Sequence, residues 1–287
     1  MQFLPFAMTR FYLLLTTLAF PFLATAQDAD SITAKAGYNL FHPTPRNLMR
    51  ELRPDRPGYS ESPFTVDPGH FQVESDLLRL VNKQEDQHHE RNFYLNHALL
   101  KLGLTTRTDV QAELDSYSIE KEWDDDQPEE RHQGFGDLTL RLKHTFLGED
   151  GKPDALAIIG FARLPVGKFV GGSVTEYGLI VPYSHDFSKE FNVQLQLRSD
   201  LDYDQDEQQR YIMLAPSTAV DVEFSEFLSA FAEVVGQWNT RQNAWQANFN
   251  VGPQLHLNDN LILDFGTHLA LTKETDHEYF LGVSFRH

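Results

Sequence analysis

The chain has 287 residues, 42 acidic against 24 basic side chains for a formal net charge of -18, and no cysteine. Holding a phosphate backbone takes clustered Lys and Arg, so nucleic acid is excluded as a partner, and the missing thiols exclude disulfides, thiolate metal sites and cysteine nucleophiles. Beyond the first segment there is no run of about 20 apolar residues, so no later spanning helix is expected.

In chain order, Arg10 supplies a positive n-region, residues 11–23 a short apolar stretch, and Ala24-Thr25-Ala26 a small-x-small cleavage site. Residues 1–26 are therefore expected to be a secretory signal peptide, with Met8 a second possible start and an uncleaved anchor the alternative. Residues 27–68 are polar and rich in Pro and Arg, a composition that forbids a long helix or a central strand. This segment is expected to be extended, either periplasmic or inserted in a lumen, with a disordered linker as the alternative.

Residues 69–287 repeat one pattern: about ten residues alternating apolar and polar, then a break. Val110, Ala112 and Leu114 interleave with Gln111, Glu113 and Asp115; Trp245, Ala247, Phe249 and Val251 interleave with Gln246, Asn248 and Asn250. A strand turns successive side chains to opposite faces, so each segment has one apolar and one polar face. Strands are expected near residues 69, 92, 109, 135, 155, 174, 191, 211, 228, 244, 261 and 279. Short breaks (105–108, 148–154, 185–190, 225–227, 258–260) alternate with more acidic, mostly longer ones that include 82–91, 120–133 and 202–210. This is the pattern of an all-β, transmembrane, antiparallel up-and-down barrel of about 12 strands in a Gram-negative outer membrane, with both termini periplasmic. Its partners would be outer-membrane lipids, lipopolysaccharide and, during biogenesis, the barrel-assembly machinery. Aromatic residues fit, with Phe71, Phe146, Tyr183, Phe191, Phe224 and Phe285 at one set of strand ends and Tyr94, Trp238, Trp245 and Tyr279 at the other.

With the apolar face outward, the lumen receives Glu74, Lys101, Glu113, Asp115, Asp137, Arg141, Lys143, Arg163, Glu176, Arg198, Asp200, Glu223, Glu233, Asp264 and Arg286, besides Asp76 and Asp221. Gln194, Gln196, Gln246, Asn248, Asn250, Gln254, His256 and His268 complete the candidate solute path. No formal charge falls on the lipid face of the mid-strands, where Arg or Lys would cost about 2 to 4 kcal/mol. Mixed luminal charge is equally the pattern of a barrel crosslinked across its interior, and twelve strands lie between the filled eight-stranded barrel and the open sixteen-stranded pore.

The acidic run Trp123-Asp124-Asp125-Asp126 with Glu129 and Glu130 lies in an outer loop, where it either chelates divalent ions or is simply solvated; it lacks EF-hand spacing. No metal site and no cofactor is expected, and no Gly-rich phosphate loop couples the chain to ATP. No His-x-Ser pair occurs, and His88, His89, His132 and Asp276-His277 sit in outer loops without an orienting partner, so the expectation is a non-enzyme. A passive channel or transporter for small solutes is the expected function. An occluded structural or surface-binding barrel is the alternative, and an outer-membrane hydrolase the third reading.

Several stretches resemble a known family. They are Asp55-Arg56-Pro57-Gly58-Tyr59-Ser60-Glu61-Ser62-Pro63-Phe64 continuing to Glu74, Leu102-Gly103-Leu104, Gly134-Phe135-Gly136-Asp137 with Lys143, and Leu164-Pro165-Val166-Gly167. These are similar to the MetA-pathway of phenol degradation family of transporter-like outer-membrane barrels. The resemblance spans roughly residues 53–286 and implies passage of small, hydrophobic or aromatic compounds. One departure is the end of the chain, where His287 stands in place of the terminal aromatic residue common in such barrels.

Overall fold

A computed structural model describes residue 35 and residues 37–287 except 86–87, 126–127, 149, 168–171, 206 and 274. The signal-peptide expectation for residues 1–26 lies outside the described residues. Thirteen strands form in the alternating region: β1 (Phe71–Glu85), β2 (His88–Thr105), β3 (Thr108–Asp124), β4 (Glu130–Gly134), β5 (Leu138–Leu147), β6 (Asp154–Leu164) and β7 (Glu176–Asp186) are the first seven. The others are β8 (Phe191–Asp204), β9 (Gln209–Ser225), β10 (Leu228–Asn239), β11 (Ala244–Asn258), β12 (Leu261–Ala270) and β13 (His277–Arg286).

Each strand pairs antiparallel with its neighbour, and β1 closes the ring on β13 from Gln72 opposite Arg286 to Asn82 opposite His277. The short β4 stands outside this ring: β5 pairs β3 at Thr108–Leu114, and β4 continues the same edge at Ser118–Glu122. The other twelve strands make the closed barrel. Closure leaves no unpaired sheet edge, the condition for backbone amides in hydrocarbon.

The barrel is turned inside out relative to a soluble protein. On β5, Leu140 and Leu142 are exposed while Arg141 and Lys143 between them are buried; on β8, Leu195 and Leu197 flank buried Gln196; on β10, exposed Val234 follows buried Glu233. The alternation read from the sequence is thus an apolar outer band around a polar lumen. Short turns join β2 to β3 and β9 to β10 at the end where β1 begins and β13 ends, here called the terminal end.

Besides β4, which lies in the expected break 120–133, two features differ from the sequence expectation. The breaks expected at 82–91 and 202–210 are largely strand, because β1–β2 and β8–β9 stay paired out to Glu85–His88 and Asp204–Gln209. A tilted strand spans the hydrocarbon in about 9 to 11 residues, so the 18 residues of β2 carry the wall well past that layer. Second, β1 is bulged between Asp76 and Leu78, which leaves Leu77 and Leu78 both exposed and turns Arg79 inward to Asp76. Tyr94 pairs with Arg79 and with the fully buried Ser118, so it shares their inner face instead of joining the expected lipid-facing aromatic belt. The bulge is what keeps the Arg79 charge off the lipid.

Candidate functional site

The chain before β1 supplies what the lumen holds. Residues 50–66 pass along the inner wall, and the charged and amide side chains pointing in from the strands bind them. Asp55 receives Lys101 Nζ at 2.5 Å and Lys143 Nζ at 2.7 Å, from β2 and β5. Arg56 pairs with Asp76 on β1 and, through Nη2 at 2.5 Å and Nε at 3.1 Å, with Asp264 on β12. Glu74 accepts the backbone N–H groups of Asp55 and Arg56 at 2.9 and 3.1 Å and also pairs with Lys101.

Further along, Glu233 on β10 accepts the N–H groups of Tyr59 and Ser60, both at 2.7 Å, the Ser60 hydroxyl, and the Asn250 amide at 2.7 Å from β11. Glu61 pairs with Arg141, and its N–H donates to Gln196 at 2.8 Å. Lys143 and Thr145 donate to the carbonyls of Ser62 and Pro63, each at 2.7 Å, and Asp109 accepts the N–H of Val66 at 3.0 Å. Proline-rich chain cannot satisfy its own polar groups by helix or ladder bonds, so the barrel wall does so. The close fit also needs missing side chains: a Cβ on Gly282 of β13 would lie 1.9 Å from Arg56 Nη2, and one on Gly103 of β2 would lie 2.1 Å from the Asp67 carbonyl.

Of the residues expected in the solute path, Glu74, Lys101, Arg141, Lys143, Gln196, Glu233, Asn250 and Asp264 therefore serve this segment, and Arg286 donates to the Arg50 carbonyl at 2.7 Å. Others pair along the wall. His97 bridges Glu113 and Asp115, Glu113 also reaches Arg141 at 3.2 Å, and Arg163 meets Glu176 at 2.9 Å. Gln194 donates to Asp221 at 2.8 Å, His256 meets Ser229 at 2.8 Å, and His268 lies 3.4 Å from Glu278. Arg198 holds Asp200 at 2.8 Å while its guanidinium lies over the rings of Phe161 (4.8 Å) and Tyr59 (5.7 Å). Asp137 accepts the N–H groups of Gly167 and Gly172 and ties down the β6–β7 connection. Gln246 lies opposite Gln237 across the β10–β11 pair, Asn248 and Gln254 are buried, and Glu223 is exposed at the terminal rim.

Two cavities flank the segment. One, of about 220 Å³, is lined by Tyr59, Glu61, Asp76, Arg79, His97, Glu113, Arg198 and Phe280 among others. The second, of about 110 Å³, lies toward the terminal end and includes Arg53, Phe64, Asp186, Gln194, Glu223, Gln254 and His256. Arg56 is the residue common to both linings. Residues 50–66 stand between the two chambers.

Below the lumen the preceding chain forms a strap at the terminal rim. Thr44 N–H donates to the Pro68 carbonyl at 3.0 Å, and Leu40 N–H to the Leu104 carbonyl at 3.0 Å. Asp150, in the β5–β6 turn, pairs with Lys35 and with Arg50 Nε at 2.8 Å. Half-burial raises the Asp150 carboxyl, but the bonds from Lys35 and Arg50 outweigh it and hold it below its ordinary value.

Sequence reasoning missed the residues on the inner side of this arrangement: Asp55, Arg56 and Glu61 in the segment, and Arg79 and His97 on the wall. The available signal was the charge pattern of residues 53–61 inside a proline-rich stretch, a composition unusual for a mere spacer. Their partners are up to 208 residues away, and no local periodicity marks them.

Among curated proteins no sequence match to the chain is found. Among solved structures, the COG4313 outer membrane channel from Pseudomonas putida F1 shares 14% identity with a TM-score of 0.59, over 81% of this chain and 99% of that one. The NanC porin shares 12% identity (TM-score 0.47; 74% of this chain, 98% of that one), and the CymD monoaromatic hydrocarbon channel 9% (TM-score 0.44; 76% and 88%). At this identity the first of these is a likeness of fold. The sequence itself is matched over residues 54–286 by the family model described as "Putative MetA-pathway of phenol degradation", and the chain belongs to that family.

Proposed function

We propose that this protein is an outer-membrane channel for passive passage of small solutes, hydrophobic and aromatic ones among them, whose lumen is closed at rest by residues 50–66. The observation that carries the reading is the pair of chambers on either side of that segment, inside a barrel whose outer band is apolar. A wall built only for strength has no need of hollow space above and below a crosslinked middle. The family's description, phenol degradation, supports aromatic cargo. On this reading both termini face the periplasm, lipids and lipopolysaccharide surround the wall, and the barrel-assembly machinery inserts it. The protein binds and passes solute without catalysing a reaction.

Single-channel recording in planar bilayers tests this. The full chain is expected to conduct in small or rare steps, and a chain lacking residues 50–66 in large, steady ones. Absence of conductance and of liposome swelling in both would overturn the channel. It would leave the second reading, a structural or surface-binding barrel, which the dense ion pairing of Asp55, Arg56 and Glu61 favours.

A further inference from the structure

The most exposed large apolar side chain among the described residues belongs to the strap. Phe41 is 93% exposed. It is held in that position by a built turn: Asn39 bridges His42, and the Asn39 side-chain oxygen accepts the N–H groups of Phe41 at 2.9 Å and His42 at 3.2 Å. Tyr38 packs edge-on against His42 in the same turn. A folded turn that fixes a phenyl ring outside the protein calls for an apolar neighbour.

The turn's place says what that neighbour is. Leu40 bonds the Leu104 carbonyl at the foot of β2, where β2 meets β1 with Phe71 opposite Leu102. Phe71 and Phe285 are exposed there, as are Phe146, Phe191 and Phe224 at the same end of their strands. Phe41 is thus an exposed ring at the same end of the barrel as this aromatic girdle, on a residue that is not part of the barrel. Behind it, the short 3₁₀ turn Arg46–Leu48 presents exposed Leu48 and an exposed Arg46 that has no ion pair among the described residues. Aromatic rings at the barrel's end, with an exposed guanidinium further along the same strap, suit the acyl boundary and phosphate of a phospholipid.

We propose that the turn at residues 38–42, with Arg46, is a membrane-interface anchor that seats the strap in the phospholipid leaflet at the terminal end of the barrel. The proposal rests on the barrel being membrane-embedded. It makes the strap leading into the lumen a lipid-contacting element, tied at both ends to Asp150 through Lys35 and Arg50 and between them to the bilayer.

The absence of native cysteine makes the test clean. Phe41→Cys carries a nitroxide in the full chain, reconstituted in phosphatidylethanolamine and phosphatidylglycerol vesicles, with Phe146→Cys as girdle control and Asp259→Cys as aqueous control. The expected result is that the label at position 41 matches position 146: accessible to oxygen and shielded from a water-soluble nickel complex. Adding Arg46→Glu is expected to abolish that shielding, and unchanged shielding would overturn the role of Arg46. A label at 41 that behaves like 259 while 146 is lipid-facing overturns the anchor and leaves the membrane reading intact. If 146 also behaves like 259, both fall.

Discussion

Asp55 is a carboxylate held between two buried ammonium groups, Lys101 and Lys143, in the lumen. Removing one member of a buried set strands the others at a cost of about 3 to 5 kcal/mol. Asp55→Asn is therefore expected to unseat residues 50–66 while the barrel stays closed, read as larger conductance steps and faster chymotrypsin cleavage after Tyr59. Gly282→Ala works through shape alone, since its new methyl takes the space of the Arg56 guanidinium. Because that guanidinium is the movable end of a side chain, the expected outcome is loss of the Asp76 and Asp264 pairs, a rise in conductance and a lower melting temperature, since two buried carboxylates lose their partner.

A third residue sets a pH dependence. Burial pushes the Asp276 carboxyl, in the connection before β13, up to about 6, with Glu278 adding to it and Lys83 opposing it. A carboxyl that holds its proton more tightly folded than unfolded, where the value is about 3.9, favours the folded state at low pH and loses that contribution as pH rises through about 4 to 6. Asp276→Asn is expected to raise the melting temperature at pH 8 and leave it unchanged at pH 4, measured in detergent.

Elements differ in how openly the sequence declares them. The strands begin within a few residues of expectation because the outward band and the polar lumen impose a period of two on every segment, as β5 shows with Leu140 and Leu142 against Arg141 and Lys143. β4 was hidden inside the expected loop 120–133, since Glu130 to Gly134 is polar throughout and gains its partner only because β3 outruns β5. The fate of residues 50–66 had no periodic signature at all. Prolines say only what the segment is not, and its contacts lie on strands scattered through the chain.

The strap is expected to depend on Asp150. Its carboxyl is depressed by Lys35 and Arg50, so the clasp's contribution is present above the ordinary carboxylate range near pH 4 and is lost only as pH falls below it. Asp150→Asn removes it at every pH. Limited proteolysis of residues 35–50 at pH 7 is expected to accelerate in that variant, and in the wild type only under strong acid.

At the scale of the whole molecule, closure is a matter of the end of β13 meeting the start of β1. His287 and Phe71 exchange backbone hydrogen bonds of 3.0 and 3.3 Å, and their rings lie 5.4 Å apart. The ladder is thus completed by a histidine against a phenylalanine. His287→Phe keeps the backbone bonds and the ring contact while making the pair with Phe71 wholly apolar on the face shared with Phe285, so the yield of heat-modifiable barrel in the membrane is expected to rise. An unchanged yield would show that Phe285, on the same face, already suffices.

The distribution of partners around residues 50–66 also bears on how the lumen is closed. Arg56 needs Asp264 from 208 residues away, Ser60 needs Glu233 from 173, and Asp55 needs Glu74 from only 19. No early portion of the barrel can offer the whole set, because the wall that binds the segment is complete only when β13 meets β1. The full set of bonds that closes the lumen therefore exists only in the completed ring, which makes the seal a property of the whole barrel and of no part of it.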